Sequence, residues 1–280
     1  LDGKGECRVV ATVSSRTSLL SAAYCEVVGR FYAGAVSGAF GSLVRTLPVG
    51  LAADGKIPGD TPLLTAPLGR KHADGSPLYG HGIEHLNDTA EAHNLVRNAL
   101  TAQHDQNAAV ILAGPPTNLL KTLRMPGAKP LIEAKVKHLV CASPQAAKEL
   151  EAAGWPSPIV SVSPSLGAAV SFPVSTLEKE FSWSEMHPVA DALKAWGKDS
   201  PTGELAAVLY AVRAQEKAFA LSEPVGRIRQ LMLEPAEKDR LQQLYIELAT
   251  AKPVPRQPRM RRPVVEEPKP VPPPATAAKP

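Results

Sequence analysis

The 280-residue sequence is poor in cysteine and has no long apolar run, and each absence excludes a class of protein. Its three cysteines, Cys7, Cys25 and Cys141, form no Cys-x-x-Cys pair and no Cys/His ligand spacing. The sequence therefore predicts neither a zinc site nor a disulfide framework. No stretch of about 18 apolar residues exists, so no membrane span is predicted. A signal peptide is not predicted either, because no basic n-region precedes an apolar h-region at the start of the chain.

Basic charge is concentrated in the last 30 residues. Residues 251–280 contain seven Lys or Arg against two Glu, and the remainder of the chain has a net charge of −1. Ten of the last 28 residues are proline, a composition that cannot build a core. We therefore predict one α/β domain over 1–252 and a disordered tail over 253–280.

The tail also suggests a partner. Its arginines at 256, 259, 261 and 262 predict a weak affinity for anionic surfaces or nucleic acid that decreases with salt. A solubilising tail without a partner is the alternative.

Strand-like and helix-like segments alternate along the rest of the chain. Apolar residues at 9, 10, 11 and 13 predict a buried strand, and residues 19, 20, 23, 27 and 31 then follow a helical period. Further alternation after residue 88 predicts an α/β fold with a mainly parallel sheet flanked by helices. The periodicity is lost over 33–82, which predicts a long irregular excursion.

Three histidines lie in this excursion or just beyond it. His72, His81 and His85 have no metal-ligand partner at helical spacing. We interpret them as solvated loop histidines rather than as a metal site.

The stretch 108–120 carries the strongest local signal. Six apolar residues without charge predict a strand covered on both faces, and Gly114 and Pro115 end it. Thr117 and Asn118 then open an apolar helix. Gly114 and Asn118 are predicted to be structural turn residues, with the Asn118 side chain bonded to the loop backbone or to the start of that helix. In an open α/β sheet a ligand binds outside the carboxyl end of such a strand.

This strand-Gly-Pro-x-Thr-Asn-Leu turn resembles the Gly-Pro-Leu-Thr-Asn-Leu turn of the inosine/uridine-preferring nucleoside hydrolases. Other segments are similar to that superfamily in the same order along the chain, from about residue 1 to 251. These segments are 6–11, 92–100 with Asp105, 114–120, 135–140, 146–147 with 154–160, 207–212 and 221–224.

The resemblance implies hydrolysis of the N-glycosidic bond of a ribonucleoside. A calcium ion held by carboxylates would bind water and the ribose diol, and an adjacent aspartate would take the proton of that water. The resemblance also implies two metal ligands here. They are the backbone carbonyl of Ala113, at the end of the central strand, and Glu204, where the family usually has an aspartate. An exposed Glu204 that complements a helix dipole is the alternative.

Two parts of the family's site have no counterpart in this sequence. The aspartate cluster D-x-D-x-x-x-D-D belongs to a first strand, and this chain begins, at Leu1, within the helix that follows it. We therefore expect a fragment or a processed product that lacks the first strand and does not bind Ca²⁺ tightly. The ribose-binding loop with Glu-Phe-Asn is also missing, because only Ala142 and Ser143 separate Cys141 from Pro144.

Two function classes follow from these observations. The first is a nucleoside hydrolase whose complete form is active and whose present chain is inactive. The second is a degenerate member of the same fold that binds a ligand or a partner without catalysis.

Overall fold

The computed structural model describes residues 1–2, 4–33, 47–52 and 60–252. The predicted tail, 253–280, and parts of the predicted excursion, 34–46 and 53–59, lie outside the described residues. No helix in the described ranges is both long and apolar enough to cross a membrane.

Strands and helices alternate through the described chain. The strands are β1 (Thr12–Ser14), β2 (Val49–Leu51), β3 (Ala90–Glu91), β4 (Ala108–Leu112), β5 (Val136–Cys141), β6 (Ile159–Val162), β7 (Ser171–Phe172), β8 (Ser200–Pro201), β9 (Phe219–Leu221) and β10 (Ile228–Leu233). The helices are α1 (Leu19–Ala33), α2 (Pro62–Gly69), α3 (Ala92–Thr101), α4 (Thr117–Arg124), α5 (Ala128–Lys135), α6 (Pro144–Ala152), α7 (Pro164–Ala169), α8 (Leu177–Glu180), α9 (Pro188–Trp196), α10 (Gly203–Val212) and α11 (Lys238–Thr250).

The strands form two main sheets. One has the order β1-β2-β3 and is parallel throughout. The other has the order β4-β5-β6-β10-β9, in which the edge strand β9 is antiparallel and the remaining pairs are parallel. A short antiparallel pair joins β7 to β8. The predicted α/β class with a mainly parallel sheet is therefore confirmed.

Helices cover both faces of the five-strand sheet because side chains alternate along each strand. Leu139, Cys141 and Ile159 belong to a core with side chains of α3, α4, α5 and α6. Val140, Val160 and Val162 belong to a second core with side chains of α7, α10 and α11. These two apolar layers bury the middle of the sheet.

Two elements lie inside the stretch that we predicted to be irregular. β2 occupies three residues of it and pairs with both β1 and β3, and α2 follows further along. The sequence signal failed because β2 is too short to show a period and because α2 contains Pro67. The predicted excursion thus includes the central strand of a sheet.

Strand β4 differs from its prediction. Ala108, Val110 and Leu112 pack into the core beneath α3 and α4, but Ala109 and Ile111, on the other face, are exposed. Among the described residues β4 pairs with β5 alone, so it lies at the edge of its sheet. The expectation of cover on both faces is therefore wrong for one face.

Candidate functional site

The carboxyl ends of β4, β5 and β6 lie at the same edge of the parallel sheet. β5 and β6 each end in the same local motif. After β5, the Ser143 hydroxyl accepts a hydrogen bond from the Ala146 N–H at 3.4 Å and so caps α6. After β6, the Ser163 hydroxyl accepts one from the Leu166 N–H at 3.2 Å and caps α7. Proline follows each serine at the first helical position. A Ser-Pro pair directly after an apolar strand is the signal that would have identified both caps from the sequence.

The turn after β4 makes a close contact with β1. Gly114 approaches so closely that a Cβ atom on it would lie 2.9 Å from the Ser15 Oγ. The buried Asn118 donates a hydrogen bond from its Nδ2 to the Ser14 carbonyl oxygen at 3.1 Å. Asn118 therefore bonds to a residue of the other sheet, rather than to the loop or to the helix start that we expected.

The hydroxyl of Ser14 is engaged as well. It lies 2.8 Å from the Ser21 hydroxyl and accepts a hydrogen bond from the Arg16 N–H at 3.1 Å. The side chains at the end of β1 are thus used to hold the turn between β1 and α1.

The two predicted metal ligands both lie near this edge. Ala113 directly follows β4, and Glu204 lies in the first turn of α10. The start of α10 is placed there by packing, because a Cβ on Gly203 would lie 4.0 Å from the Ala142 carbonyl oxygen. The Glu204 side chain is exposed, with no hydrogen bond or ion pair to any residue in the described ranges.

These groups do not fit a calcium ion. A tight calcium site needs roughly six to eight oxygen ligands with several carboxylates among them. Glu204 supplies one carboxylate, Ala113 supplies one carbonyl, and the neighbouring serine hydroxyls are used for helix capping. In the described part of the chain, no group of three or more His, Cys, Asp or Glu side chains is arranged to hold a metal.

A buried histidine is the polar feature that the sequence did not reveal. The ring of His187 packs among Phe31, Tyr32, Phe181 and Trp183 with centroid distances of 4.4 to 5.8 Å. Its Nδ1 accepts a hydrogen bond from the Ala190 N–H and so caps α9.

The second ring nitrogen of His187 is used too. With Nδ1 as the acceptor, Nε2 carries the proton and donates to the Tyr32 hydroxyl at 3.2 Å. Burial lowers the pKa of His187 to about 4, although the negative charge of Asp191 acts in the other direction and raises it. A cavity of about 280 Å³ lies beside this ring. Since both nitrogens are engaged, we interpret His187 as structural.

No protein-family profile and no curated protein sequence matches the chain. Known structures do match it. The purine-preferring ribonucleoside hydrolase from Gardnerella vaginalis is 12% identical with a TM-score of 0.57, covering 89% of this chain and 92% of that protein. The inosine-uridine preferring nucleoside hydrolase from Bacillus anthracis is 12% identical with a TM-score of 0.50, covering 86% and 98%.

A third similar structure is the type III effector XopQ in complex with adenosine diphosphate ribose. It is 13% identical with a TM-score of 0.57, and the match covers 86% of this chain and 84% of that protein. At these identities the likeness establishes the fold. The chain has a nucleoside hydrolase-like fold, as the sequence resemblance predicted.

Proposed function

We propose that the complete protein hydrolyses the N-glycosidic bond of ribonucleosides and that the present chain, by itself, does not. The observation that supports the first half is the turn at Gly114 and Asn118, which lies at the carboxyl edge of a nucleoside hydrolase-like sheet. Open α/β sheets bind ligands at this edge. The similar structures include proteins described as ribonucleoside hydrolases.

The count of carboxylates supports the second half of the proposal. Hydrolysis of an N-glycosidic bond needs a base that takes a proton from water, and groups that stabilise an oxocarbenium-like transition state. Glu204 is the carboxylate that we place at the edge, and it is exposed in the first turn of a helix. We therefore assign no catalytic step to a residue of this chain, and none to a metal ion.

Two measurements on the 280-residue chain test this proposal. A reducing-sugar assay with inosine and with uridine should detect no ribose above an enzyme-free blank. Calorimetry with CaCl₂ should show no saturable binding at micromolar concentrations. The Glu204→Gln variant serves as the matched control and should behave like the parent in both assays. Ribose release that disappears in Glu204→Gln would contradict the proposal.

The first half of the proposal is tested with a longer polypeptide. If the coding sequence continues upstream of Leu1 and adds an acidic cluster, we expect calcium binding to return in that longer polypeptide. Turnover should return only in part, because β5 passes to α6 through Ala142 and Ser143 alone, without a loop to hold the ribose. Turnover that needs no residue beyond the 280 would show that the catalytic groups are within this chain.

The second candidate is a protein that binds a ligand or a partner without catalysis. The observation that favours it is that Glu204 is the one carboxylate we place at the edge, where the other polar groups that we identify are serine hydroxyls and backbone groups. A similar fold in XopQ is known in complex with adenosine diphosphate ribose. Calorimetry of the chain with inosine, uridine and adenosine diphosphate ribose tests this candidate, because saturable binding by the chain, together with no ribose release by any longer polypeptide, supports the non-catalytic one.

A further inference from the structure

Strand β9 lies at an edge of the five-strand sheet, where β10 is its one partner among the described strands. Directly after β9, the Ser222 N–H donates a hydrogen bond to the Gln230 carbonyl oxygen at 2.9 Å. Directly before β9, the Ala218 carbonyl oxygen accepts one from the Glu234 N–H at 2.9 Å. Because hydrogen-bonded positions alternate along an antiparallel pair, the backbone groups of Ala220 also point toward β10. Those of the other two β9 residues therefore point outward, away from the sheet.

Three of these outward backbone groups have no hydrogen-bond partner in the described part of the chain. They are the N–H and the carbonyl oxygen of Leu221 and the carbonyl oxygen of Phe219. The fourth, the Phe219 N–H, donates to the Glu216 carbonyl oxygen at 3.0 Å. An edge strand with unpaired backbone groups is a template for a further strand. The outer side of β9 can therefore accept one.

The side chains of β9 fit a second copy of the same strand. Phe219 and Leu221 are partly buried, and both pack against the core formed by α7, α10 and α11. Antiparallel pairing about a two-fold axis at Ala220 sets Phe219 of one copy opposite Leu221 of the other, so this core continues across the axis. The two Ala220 residues form a non-hydrogen-bonded pair, whose Cα atoms lie about 4.5 Å apart, and small side chains suit this close approach.

Charge selects the same register. Lys217 lies three positions before Ala220, and Glu223 lies three positions after it. Both side chains are exposed, and neither forms an ion pair with another described residue. With the axis at Ala220, Lys217 of each copy faces Glu223 of the other, which gives two intermolecular charge pairs. An axis moved by one residue in either direction would set Lys217 opposite Leu221 or Val225 instead, and both charge pairs would be lost.

We infer that the chain associates with a second copy of itself through β9, as a two-fold symmetric dimer in which the two five-strand sheets join edge to edge. The Leu221 N–H of each copy donates to the Phe219 carbonyl oxygen of the other, and Lys217 pairs with Glu223 across the interface. The paired strands have three residues each, so they bury less area than a standard interface, and the dimer is weak and reversible. The inference does not depend on hydrolase activity.

Charge reversal at the two flanking positions tests the inference. Sedimentation of the 280-residue chain in low salt, from about 1 to 500 µM, should show a reversible monomer–dimer equilibrium. Lys217→Glu and Glu223→Lys each place like charges together at both contacts, so each should weaken dimerisation about tenfold or more. The matched controls are Lys148→Glu and Glu84→Lys, at exposed positions away from β9, which should leave the equilibrium unchanged.

A mixture of the two single variants makes the test specific for this register. In a dimer of one Lys217→Glu chain with one Glu223→Lys chain, both contacts join opposite charges. The equimolar mixture should therefore dimerise about as tightly as the parent, although neither variant does so alone. The double variant, which carries both reversals in one chain, should recover in the same way. Added salt should reduce the differences among these proteins because it screens exposed charges.

Amide hydrogen exchange locates the interface on the backbone. In the parent, the Leu221 N–H should exchange more slowly at the highest concentration than at the lowest, because it gains a hydrogen bond in the dimer. It should show no such slowing in the single variants. Thermal unfolding of each variant checks that the fold is retained, as expected for substitutions at exposed positions.

Several outcomes would overturn the inference. A chain that stays monomeric up to about 500 µM would show that the short length of β9 and its flanking charges protect the edge. A dimer that neither reversal weakens, or a mixture that dimerises no more tightly than the single variants, would place the interface elsewhere. Concentration-independent exchange at Leu221 would do the same. Ribose release, or its absence, in any of these samples bears on the proposed function alone.

Discussion

Asn118, at the start of α4, donates a hydrogen bond to the main-chain oxygen of Ser14, at the end of β1, across 104 positions of sequence. The bond joins the two sheets at their carboxyl edge. Asn118 is 5% exposed, so water does not reach its side-chain amide. Without the Ser14 carbonyl oxygen, the buried amide would have no acceptor for this N–H group.

Replacing Asn118 with alanine should lower the free energy of unfolding by about 1–2 kcal/mol, because the Ser14 carbonyl loses a buried donor. Urea denaturation of the 280-residue chain measures this change. Asn98→Ala, at an exposed position on α3, is the control and should change the midpoint little. An unchanged midpoint in Asn118→Ala would show that the bond contributes nothing to stability.

A methyl group at Gly114 should be destabilising because of Ser15. The added Cβ would lie 2.9 Å from the Ser15 Oγ, so the Ser15 side chain would have to rotate away. We expect Gly114→Ala to cost about 1 kcal/mol or more, and Ser15→Ala to relieve most of that cost in the double variant. Gly80→Ala is the control, since nothing lies within 4 Å of its Cβ position. Additive effects of the two substitutions would contradict a direct contact.

The stability of the fold should fall between pH 7 and pH 5 because of His187. Its pKa is about 4 in the folded chain and about 6.5 when unfolded. Over this range the unfolded state binds the proton and the folded state does not, so acidification favours unfolding, by about 2 kcal/mol at pH 5.

Urea midpoints of the parent and of His187→Gln at pH 7 and pH 5 measure how much of the loss of stability on acidification is due to His187. The variant is expected to be less stable at pH 7, since it loses ring contacts, but to lose less stability on acidification. The exposed His104→Gln is the control and should keep the full pH dependence. Parallel pH profiles for parent and His187→Gln would refute this explanation.

Removal of residues 253–280 should leave the melting temperature nearly unchanged. α11 ends at Thr250, whose carbonyl oxygen accepts a hydrogen bond from the Trp183 indole N–H at 2.8 Å, and the truncation preserves that contact. Thermal unfolding of 1–252 beside the full chain measures the effect. A fall of many degrees would show that the tail packs on the domain.

The same pair of proteins tests the tail's proposed anionic partner. The full chain should bind a polyanion such as heparin or single-stranded DNA more tightly than 1–252, and added salt should weaken the difference because the tail's arginines release counterions. Equal binding by both proteins would favour a solubilising tail.

The sequence by itself determined the α/β class and the order of the longer strands and helices outside residues 33–82. The apolar runs of β4, β5 and β6 and the helical period of α1 are local patterns, and burial of apolar side chains follows from them directly. The turn at Gly114 and Asn118 was also recognisable, because glycine and proline interrupt an apolar strand there. The short β2 and the proline-containing α2 escaped prediction because neither carries a period.

Only the tertiary structure decided which groups meet. Ser14 and Asn118 are distant in the sequence, and no local pattern specifies that the amide of one reaches the carbonyl of the other. The exposure of Ile111 likewise depends on which elements cover its face of β4, whereas its apolar surroundings in sequence suggested full burial. The neutral tautomer of His187 depends on four aromatic rings and on two hydrogen bonds from separate helices. Strand neighbours, cross-sheet bonds and buried charge states depend on non-local contacts, so they are set when the elements pack together.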